Sequence, residues 1–409
     1  MAISSTQPPA HLVGADQVPR PLRGLLATVS SRFRYGTLEL TLPNDQKLVF
    51  EGSEDGPRAD LSLASWRPLR RFLTGGALGF SESYLDGDWS TSDLPTLLYI
   101  LTLNEDAAAD HWHGRGIGML VRRIAMAFNR NTKRGSRRNI YAHYDIGNQF
   151  YQRWLDPTMT YSSALFDREH NDLAAAQSAK YEHLRQKLDV RPGQRLLEIG
   201  CGWGGFAEHI AKTIGAKVTA ITISKAQHDF AAERIQKAGL NDRVQIELRD
   251  YRDVEGRYDG IASIEMFEAV GEEYWPTFFG KVRNCLTESG RAALQIITIA
   301  DRYFEVYRRT PDFIQTHIFP GGMLPSPSVL QDQARRAGLT LAGSTEFGQS
   351  YSDTLRRWSD SFNTRWTEVQ ALGFDDRFRR MWNFYLASCA AAFKSRTTDV
   401  TQLSLVRPG

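Results

Sequence analysis

LLEIGCGWGG, residues 196–205, is the stretch that decides the fold of this chain. A short apolar run reaches the acid Glu198, four glycines follow within six residues, and 206–211 has a helical pattern. This order of strand, tight glycine turn and helix is typical of a nucleotide-like ligand site at the carboxyl edge of a parallel sheet. Glycine suits the turn because the backbone must bend sharply and approach a ligand closely. A glycine-rich turn that binds nothing is the less favoured alternative.

The residues around this turn distinguish between possible cofactors. A dinucleotide site needs an acid about 20 residues after the first glycine, and no acid lies between Glu208 and Asp229. A phosphate-binding loop needs Lys followed by Ser or Thr after the glycines, and that pair is absent. Glu198 would repel a pyrophosphate but suits a ligand that carries an ammonium or sulfonium charge. We therefore predict a site for S-adenosylmethionine (SAM).

The predicted SAM site uses the ends of several strands. Hydroxyl and amide side chains after the second strand replace the missing ribose acid, and a carboxylate after the third strand can accept from an adenine amino group. A helix cap is the alternative role for that carboxylate. The cofactor residues that we predict are Tyr161, Ser162, Glu198, Gly200, Gly202, Gly204, Thr222, Ser224, Gln227, Asp250, Tyr251 and Arg252.

Length and composition indicate a globular protein of more than one domain. The chain has 409 residues, 42% of them hydrophobic and 24% charged, and no apolar run approaches the roughly 20 residues of a membrane span. The N-terminus lacks the pattern of a secretory signal. Three widely spaced cysteines predict neither a disulfide framework nor a metal site. A net charge of +3 is too small to indicate nucleic acid by itself.

From Arg195 onward the patterns of strands and helices alternate. This predicts an α/β fold with a doubly wound, Rossmann-like sheet, preceded by a smaller α+β domain. The predicted strands are 195–199, 217–221, 244–248, 258–264 and 291–299, and the predicted helices are 205–214, 225–238 and 273–286. The predicted parts of the chain are a disordered N-terminus (1–19), the small domain (20–105), a basic linker (106–140), the methyltransferase domain (141–395) and a C-terminal tail (396–409).

The linker carries seven basic residues without an acid among them over 122–138. They are Arg122, Arg123, Arg130, Lys133, Arg134, Arg137 and Arg138. A solvated linker and a contact with anionic phospholipid are the leading alternatives, and an RNA contact is the third.

Two carboxylates, Glu265 and Glu268, follow the fourth predicted strand. Three residues apart, they would lie close on one helical turn, so that one could face the cofactor and the other the substrate. A structural ion pair is the alternative for a buried Glu. The segments 141–164 and 313–326 are too rich in aromatic and small residues for ordinary linkers. We expect both to fold over the carboxyl edge of the sheet, the second as a wall of an oily pocket.

These motifs together resemble the cyclopropane-fatty-acyl-phospholipid synthase family, with its relatives the mycolic acid cyclopropane synthases. The matching segments are HYDIGNQFY (143–151), LDPTMTYSSALF (155–166), LLEIGCGWGGFAEHIA (196–211), VTAITISKAQ (218–227), DYRD (250–253), MFEAVG (266–271), FIQTHIFPGGMLPS (313–326) and GQSYSDTL (348–355).

The resemblance implies methyl transfer from SAM to a cis double bond in a phospholipid acyl chain. A dry aromatic pocket stabilises the resulting cation, and a bound bicarbonate removes a proton as the ring closes. By motif position, Glu268, Ile297 and Tyr351 hold this bicarbonate. Ser163 and Gln295 stand where the family has Cys and His, and Gln cannot titrate as His does. This departure puts the role of bicarbonate in question.

The departures leave the product open. A cyclopropane synthase is the first expectation, and a methylene- or methyl-branching methyltransferase with a reductase or desaturase partner is the second. A non-catalytic lipid-binding paralogue and an RNA or small-molecule methyltransferase are further alternatives. We expect a cytoplasmic enzyme that associates with the inner face of the membrane, acts on unsaturated phospholipid and binds no nucleic acid. The resemblance also suggests a homodimer.

Overall fold

The computed structural model describes residues 18–105, 131–133, 135–136, 146–169 and 171–408. Most of the predicted basic linker and nearly all of the predicted disordered N-terminus lie outside these residues. The chain forms two compact units. Unit 1 contains the described part of 1–124 together with 310–313 and 375–395, and unit 2 contains the described part of 125–309 together with 314–374 and 396–409.

The helices and strands of the described residues are named here in chain order. They are α1 (Arg20–Arg32), β1 (Tyr35–Thr41), β2 (Lys47–Glu51), β3 (Glu54–Leu63), α2 (Arg67–Leu85), β4 (Trp89–Ser90), α3 (Leu94–Leu103), α4 (Asn148–Trp154), α5 (Leu173–Leu188), β5 (Arg195–Ile199), α6 (Gly205–Thr213), β6 (Lys217–Thr222), α7 (Lys225–Lys237), β7 (Val244–Leu248), β8 (Tyr258–Ile264), α8 (Trp275–Cys285), β9 (Leu286–Ile299), α9 (Asp301–Tyr307), α10 (Pro327–Arg336), β10 (Thr340–Glu346), α11 (Gly348–Thr364), α12 (Trp366–Gln370), α13 (Asp376–Lys394) and β11 (Thr398–Val406).

Unit 1 contains a four-stranded sheet in the order β2-β1-β3-β4. Strands β1 and β2 form a hairpin and pair antiparallel, with Leu40 opposite Leu48 and Leu38 opposite Phe50. These alternating apolar residues are buried, as period-two patterning requires for one face of a sheet. Helix α3 packs on β1 and β3 and begins at Asp93, whose side chain accepts from the backbone N–H of Thr96.

Helix α13 belongs to unit 1, whereas the sequence placed it in the methyltransferase domain. The Arg380 guanidinium lies 4.0 Å from the centre of the Tyr84 ring. Its Nε donates to the backbone oxygen of Tyr84 at 2.6 Å, and its Nη2 donates to that of Trp89 at 2.8 Å. The aromatic side chains of this helix therefore belong to the core of unit 1, and the Phe384 ring packs against the rings of Tyr84 and Trp89. These contacts join residues far apart in sequence, which local patterns do not reveal.

Unit 2 contains a seven-stranded sheet in the order β10-β11-β9-β8-β5-β6-β7. Strands β5 to β9 pair in parallel, and the doubly wound sheet predicted from the alternation is confirmed. Strands β5, β7 and β8 have the predicted bounds, whereas β9 begins at Leu286 rather than at 291.

The predicted C-terminal tail is instead β11, which lies inside the sheet between β9 and β10. It runs antiparallel to β9, with Gln402 opposite Gln295. Sequence reasoning missed this strand because Thr401, Gln402 and Ser404 interrupt its apolar pattern. Both faces of an inner strand are covered, so these polar side chains are buried as well.

The connections of the parallel strands reverse direction between β5 and β8. From β5 the chain continues outward through β6 and β7, and it then returns to β8 and β9 on the other side. Ligands of open α/β sheets bind outside the carboxyl ends of the strands at such a switch point. Here the glycine turn follows β5 and Glu265 follows β8, so both lie at this position.

Candidate active site

The glycine turn combines tight packing with open space. Gly200 has φ +83°, and a Cβ there would lie 2.6 Å from Cγ of Met266. Gly202 has φ +52°, and no atom of the described residues lies within 4 Å of the position of its Cβ. Gly204 is the N-cap of α6. Gly200 is thus required by its neighbours, while Gly202 leaves the space that a bound ligand needs.

Glu198 is a buried carboxylate at the end of β5. Only 2% of its surface is exposed, and among the described residues its Oε2 has no hydrogen-bond partner. Burial raises the pKa of Glu198 to about 8, although the backbone N–H of Ala207 and the charges of Lys180 and Arg234 oppose this shift. A buried acid with an unpaired oxygen is costly unless a partner binds. It fits a cationic group of a cofactor.

The residues after β6 form a local network. The hydroxyl of Thr222 donates to Oε1 of Gln227 at 2.9 Å, and it accepts from the backbone N–H of Ser224 at 3.2 Å. The Ser224 hydroxyl caps α7 by accepting from the backbone N–H of Gln227. The three predicted cofactor residues are therefore brought together and oriented at the carboxyl edge.

Asp250 is bound by its own neighbour. Its Oδ1 accepts from Nε of Arg252 at 2.8 Å and its Oδ2 from Nη2 at 2.6 Å. Burial disfavours the charge, but the bonds from Arg252 outweigh it and lower the pKa of Asp250. The carboxylate also caps the short turn Tyr251–Asp253. Both roles weighed for Asp250 remain compatible with this geometry, and an adenine contact stays a prediction.

The segments before the sheet domain do reach the carboxyl edge. Asn148 accepts from Nε1 of Trp203 in the glycine turn at 2.9 Å, and it donates to the backbone oxygen of Ala226 at 3.1 Å. The backbone oxygen of Thr158 accepts from Arg234 at 2.8 Å. The expectation that 146–164 folds over this edge is confirmed for the described residues. Residues 141–145 of the same segment lie outside them.

Ser162 is held by two buried side chains of α5. Nζ of Lys180 donates to the Ser162 hydroxyl at 2.6 Å, and Nε2 of Gln177 donates to its backbone oxygen at 2.9 Å. Burial lowers the pKa of Lys180 to about 7, although the charges of Glu265, Asp156 and Glu198 oppose it. These bonds fix the backbone of the loop that leads into Ser163.

Three donors converge on the carboxylate of Glu265. The backbone N–H of Ser163 donates to Oε1 at 2.8 Å, Nε2 of Gln295 donates to Oε1 at 2.7 Å, and the hydroxyl of Tyr351 donates to Oε2 at 2.6 Å. The sequence grouped Ser163, Gln295 and Tyr351 with Glu268 around a bound anion. In the structure these three residues instead donate to a carboxylate of the protein itself, that of Glu265.

Glu268 forms a hydrogen bond of its own, apart from the three donors to Glu265. Its Oε1 accepts from the backbone N–H of Ile297 at 2.5 Å, and its Oε2 has no partner among the described residues. Burial, followed by the charge of Glu265, raises the pKa of Glu268 to about 8. Its backbone oxygen accepts from the N–H of Met323, which connects the predicted wall segment to the site. The expected five-residue group is thus divided between two carboxylates.

The sequence singled out Glu265 together with Glu268 as a carboxylate near the cofactor or substrate, but it did not place Glu265 among the residues of the anion site. Its backbone has φ +49°, a conformation that costs a side-chain-bearing residue about 1–2 kcal/mol. Burial raises the pKa of Glu265, opposed by Tyr351, Lys180, Ser163 and Gln295. Backbone strain that three hydrogen bonds maintain at a ligand site suggests a functional constraint. The only sequence signal was a second carboxylate three residues before Glu268.

An aromatic cluster extends from Tyr351, which donates to this carboxylate. The Tyr351 ring lies 6.1 Å from that of Trp358, which lies 5.1 Å from that of Tyr161. Trp154 and Tyr151 extend the same cluster. Ring faces stabilise positive charge in a dry environment. The arrangement therefore suits chemistry that develops a cation beside an acceptor for its proton.

Comparisons with known proteins show the family of this chain. A family model described as mycolic acid cyclopropane synthetase matches residues 131–403. The chain belongs to this family. It is a SAM-dependent methyltransferase, and SAM is its methyl donor. The unpaired oxygen of Glu198 and the open space at Gly202 fit that cofactor.

Three relatives show how far the likeness extends. The chain is 35% identical to the tuberculostearic acid methyltransferase UfaA1 of Mycobacterium tuberculosis over 100% of both chains. It is 34% identical to the cyclopropane-fatty-acyl-phospholipid synthase of Escherichia coli K12, over 85% of this chain and 88% of that one. The solved structure of the mycolic acid cyclopropane synthase CmaA1 with SAH and CTAB covers 66% of this chain and 97% of its own at 30% identity, with a TM-score of 0.62.

Two other kinds of feature, a membrane span and a metal site, are absent from the described residues. None of the helices in the described residues has the length and apolarity to cross a membrane. No group of His, Cys, Asp and Glu in that part of the chain could hold a metal ion. Of the predicted basic segment, Lys133 is described, and its Nζ forms an ion pair with Asp253.

Glu198→Gln should remove a pH dependence of SAM binding. A cation favours the ionised form of Glu198, so binding displaces a proton, and affinity should increase as the pH rises toward 8. Calorimetric titration in buffers of different ionisation enthalpy measures the released proton. In Glu198→Gln the release should disappear and affinity should fall more than turnover. The same proton release in the variant would contradict the assignment.

Gly200→Ala and Gly202→Ala should fail in different ways. The new methyl group at 200 meets Met266 and should lower the free energy of unfolding by about 1–3 kcal/mol. At 202 the methyl group meets no atom in the part of the chain that the structure describes, so stability should fall by no more than about 1–2 kcal/mol, while SAM affinity drops. Thermal unfolding and SAM titration measure the two effects. Unchanged SAM affinity in Gly202→Ala would show that this space is not the cofactor's.

Proposed function

We propose that this chain methylates a cis double bond in the acyl chain of a phospholipid, with Glu265 as the general base in place of bicarbonate. The observation that carries the proposal is the convergence of Ser163, Gln295 and Tyr351 on the Glu265 carboxylate. By resemblance these three positions were expected to surround a bound anion. A fixed carboxylate supplies that anion without a second ligand.

The proposed chemistry requires a base beside the transferred methyl group. SAM, when bound, supplies an electrophilic methyl group and leaves as a neutral thioether. The alkene electron pair forms the new carbon–carbon bond, and a carbocation remains on the acyl chain. Glu265 then accepts a proton from the transferred carbon. Without a hydride shift the electrons of that C–H bond form a new C–C bond to the cationic carbon and close a ring; after a hydride shift they form the double bond of a methylene branch. The rings of Tyr351, Trp358 and Tyr161 stabilise the positive charge until this happens.

The pKa shifts of Glu265 and Glu268 support Glu265, rather than Glu268, as the base. The raised pKa of Glu265 makes it a stronger base than an exposed carboxylate, and its three donors still favour the ionised form. Glu268, with a pKa of about 8, is mostly neutral at pH 7. It therefore adds little repulsion to the ionised Glu265. Activity should fall as the pH decreases through the pKa of Glu265, because the base becomes protonated.

For the product we propose a methylene-branched acyl chain. In this route a hydride shifts along the acyl chain before Glu265 takes the proton, and no ring closes. One relative that aligns over 100% of both chains is named a tuberculostearic acid methyltransferase. That name describes methyl transfer and does not mention ring closure. A methylene branch retains a double bond, so a methyl branch requires a separate reductase as partner. Ring closure, as in the Escherichia coli relative, is the second candidate.

The membrane as the place of action also remains a proposal. An acyl chain in a phospholipid is presented at a bilayer surface, and anionic lipid attracts basic segments at about 1 kcal/mol per residue near the surface. Residues 122–138 supply seven such charges. We propose that the enzyme works at the cytoplasmic face of the membrane, and a homodimer remains a prediction of the family resemblance.

Analysis of fatty acids from cells that express the protein should identify the product. A ring and a methylene branch add the same mass, so the extracted esters must be hydrogenated under conditions that leave cyclopropanes intact. The methylene-branched product should take up one equivalent of hydrogen and become a methyl branch. A product that resists hydrogenation would establish the cyclopropane instead. Cells that express Glu265→Gln serve as the matched control.

Replacement of Glu265 should impair proton removal while it leaves cofactor binding nearly intact. Glu265→Gln should lower turnover by about 10²–10⁴-fold, the usual range for loss of a general base, and leave SAM affinity nearly unchanged. Wild-type activity should not depend on added bicarbonate. Turnover by Glu265→Gln at the wild-type rate would contradict the proposal.

Glu265→Gly offers a sharper test of the same carboxylate. Glycine accepts the positive φ and vacates the position between the three donors, so added bicarbonate or formate should restore part of the lost activity. Glu265→Gln is the matched control, because its amide still fills the space and should not be rescued. Failure of both anions to rescue a folded Glu265→Gly that binds SAM would show that the donors do not form the base site.

A further inference from the structure

A row of hydrogen bonds leads from helix α5 to the proposed base. Nδ1 of His183 lies 2.6 Å from Oε1 of Gln402, and Nε2 of Gln402 donates to Oε1 of Gln295 at 2.9 Å. Nε2 of Gln295 then donates to Oε1 of Glu265 at 2.7 Å. The four residues come from α5, β11, β9 and the end of β8. Both glutamines are fully buried.

The direction of these bonds is fixed at Gln402. Its Nε2 also donates to the backbone oxygen of Lys180 at 3.2 Å. A carbonyl oxygen can only accept, so a reversed Gln402 amide would place two oxygens together inside the protein. Buried polar groups are almost always hydrogen-bonded. Gln402 therefore presents its NH₂ to Gln295 and its oxygen to His183.

The orientation of the Gln402 amide determines the orientation of the Gln295 amide, which in turn determines the atom that faces Glu265. Because Gln295 must accept at Oε1, its own NH₂ faces the carboxylate. An amide in this orientation stabilises the ionised carboxylate, whereas an amide oxygen would stabilise the protonated one. A locked Gln295 cannot turn to accept a hydrogen bond from a protonated Glu265. The protonated form thus lacks a partner on this side.

We propose that Gln402 and His183 are positioning residues that lock the Gln295 amide with its NH₂ toward Glu265 and so keep the base ionised. This inference rests on the proposed function of Glu265. Gln402 takes part through Gln295, and His183 must carry its proton on Nδ1 in order to donate to Gln402.

Other charged and titratable groups also act on Glu265. Lys180 of α5 favours its ionised form, as does the hydroxyl of Tyr351 from α11. Glu268, in the turn after β8, also faces Glu265, whose charge helps to raise the pKa of Glu268 to about 8, so that Glu268 is mostly neutral at pH 7. A substitution at Gln402 leaves the side chains of all three groups in place and removes one bond to the backbone oxygen of Lys180, so we expect a shift in the pH profile of such a variant to report on the amide row.

Gln402→Met tests the lock without introducing a charge. The thioether cannot hold Gln295 in one orientation, so Gln295 can turn and accept from a protonated Glu265. The acid limb of the pH profile of turnover should move to higher pH by about 0.5–1 unit, with SAM affinity unchanged. Ser404→Ala is the matched control. Ser404 lies on the same strand and bonds to the backbone oxygen of Lys187, so its loss should not move the profile.

The outcomes separate this inference from the proposed function. If Glu265→Gln is inactive and Gln402→Met has the wild-type pH profile, the lock is wrong and the base stands. If Glu265→Gln is fully active, the base itself is wrong.

A measurement on the wild-type protein covers the case in which Gln402→Met does not fold. Nitrogen NMR of ¹⁵N-histidine-labelled protein, with His183→Gln used to assign the signal, reports the tautomer of neutral His183. The row requires a proton on Nδ1. A proton on Nε2 with an unprotonated Nδ1 would reverse the row and overturn the inference.

Discussion

The active site depends on one buried carboxylate, Glu265, and on the three donors that hold it. A buried carboxylate without partners would be protonated and useless as a base. The bonds from Ser163, Gln295 and Tyr351 come from three different parts of unit 2, so the site forms only when the sheet and its flanking segments are assembled. The positive φ of Glu265 is maintained by the same contacts.

The sheet places this base beside the cofactor site. Glu198 lies at the end of β5 and the glycine turn follows it, Glu265 follows β8, and these neighbouring strands mark the switch point of the sheet. Lys180 lies within electrostatic reach of both carboxylates and binds the loop that leads to Ser163. The proposed methyl donation and proton removal thus use adjacent strand ends of one sheet, and Lys180 interacts electrostatically with the carboxylate at each of them.

Local patterns predicted the parallel strands, the glycine turn and Glu198, because turn chemistry and periodicity act over a few residues. They did not predict β11 or the place of α13, which are determined by contacts between distant parts of the chain. Gln402 was hidden for the same reason, since its polar side chain interrupts the apolar pattern of a buried strand. Motif positions grouped Ser163, Gln295 and Tyr351 with Glu268 and Ile297 but did not show that the Glu265 side chain lies among the first three. That fact depends on the backbone conformation at Glu265.

The most direct test of this account is a crystal structure of the wild-type protein grown with SAH and bicarbonate. The account predicts that the Glu265 carboxylate accepts from Ser163, Gln295 and Tyr351 and that no bicarbonate lies among these donors. A bicarbonate ion bound to the three donors, with Glu265 turned away, would contradict it.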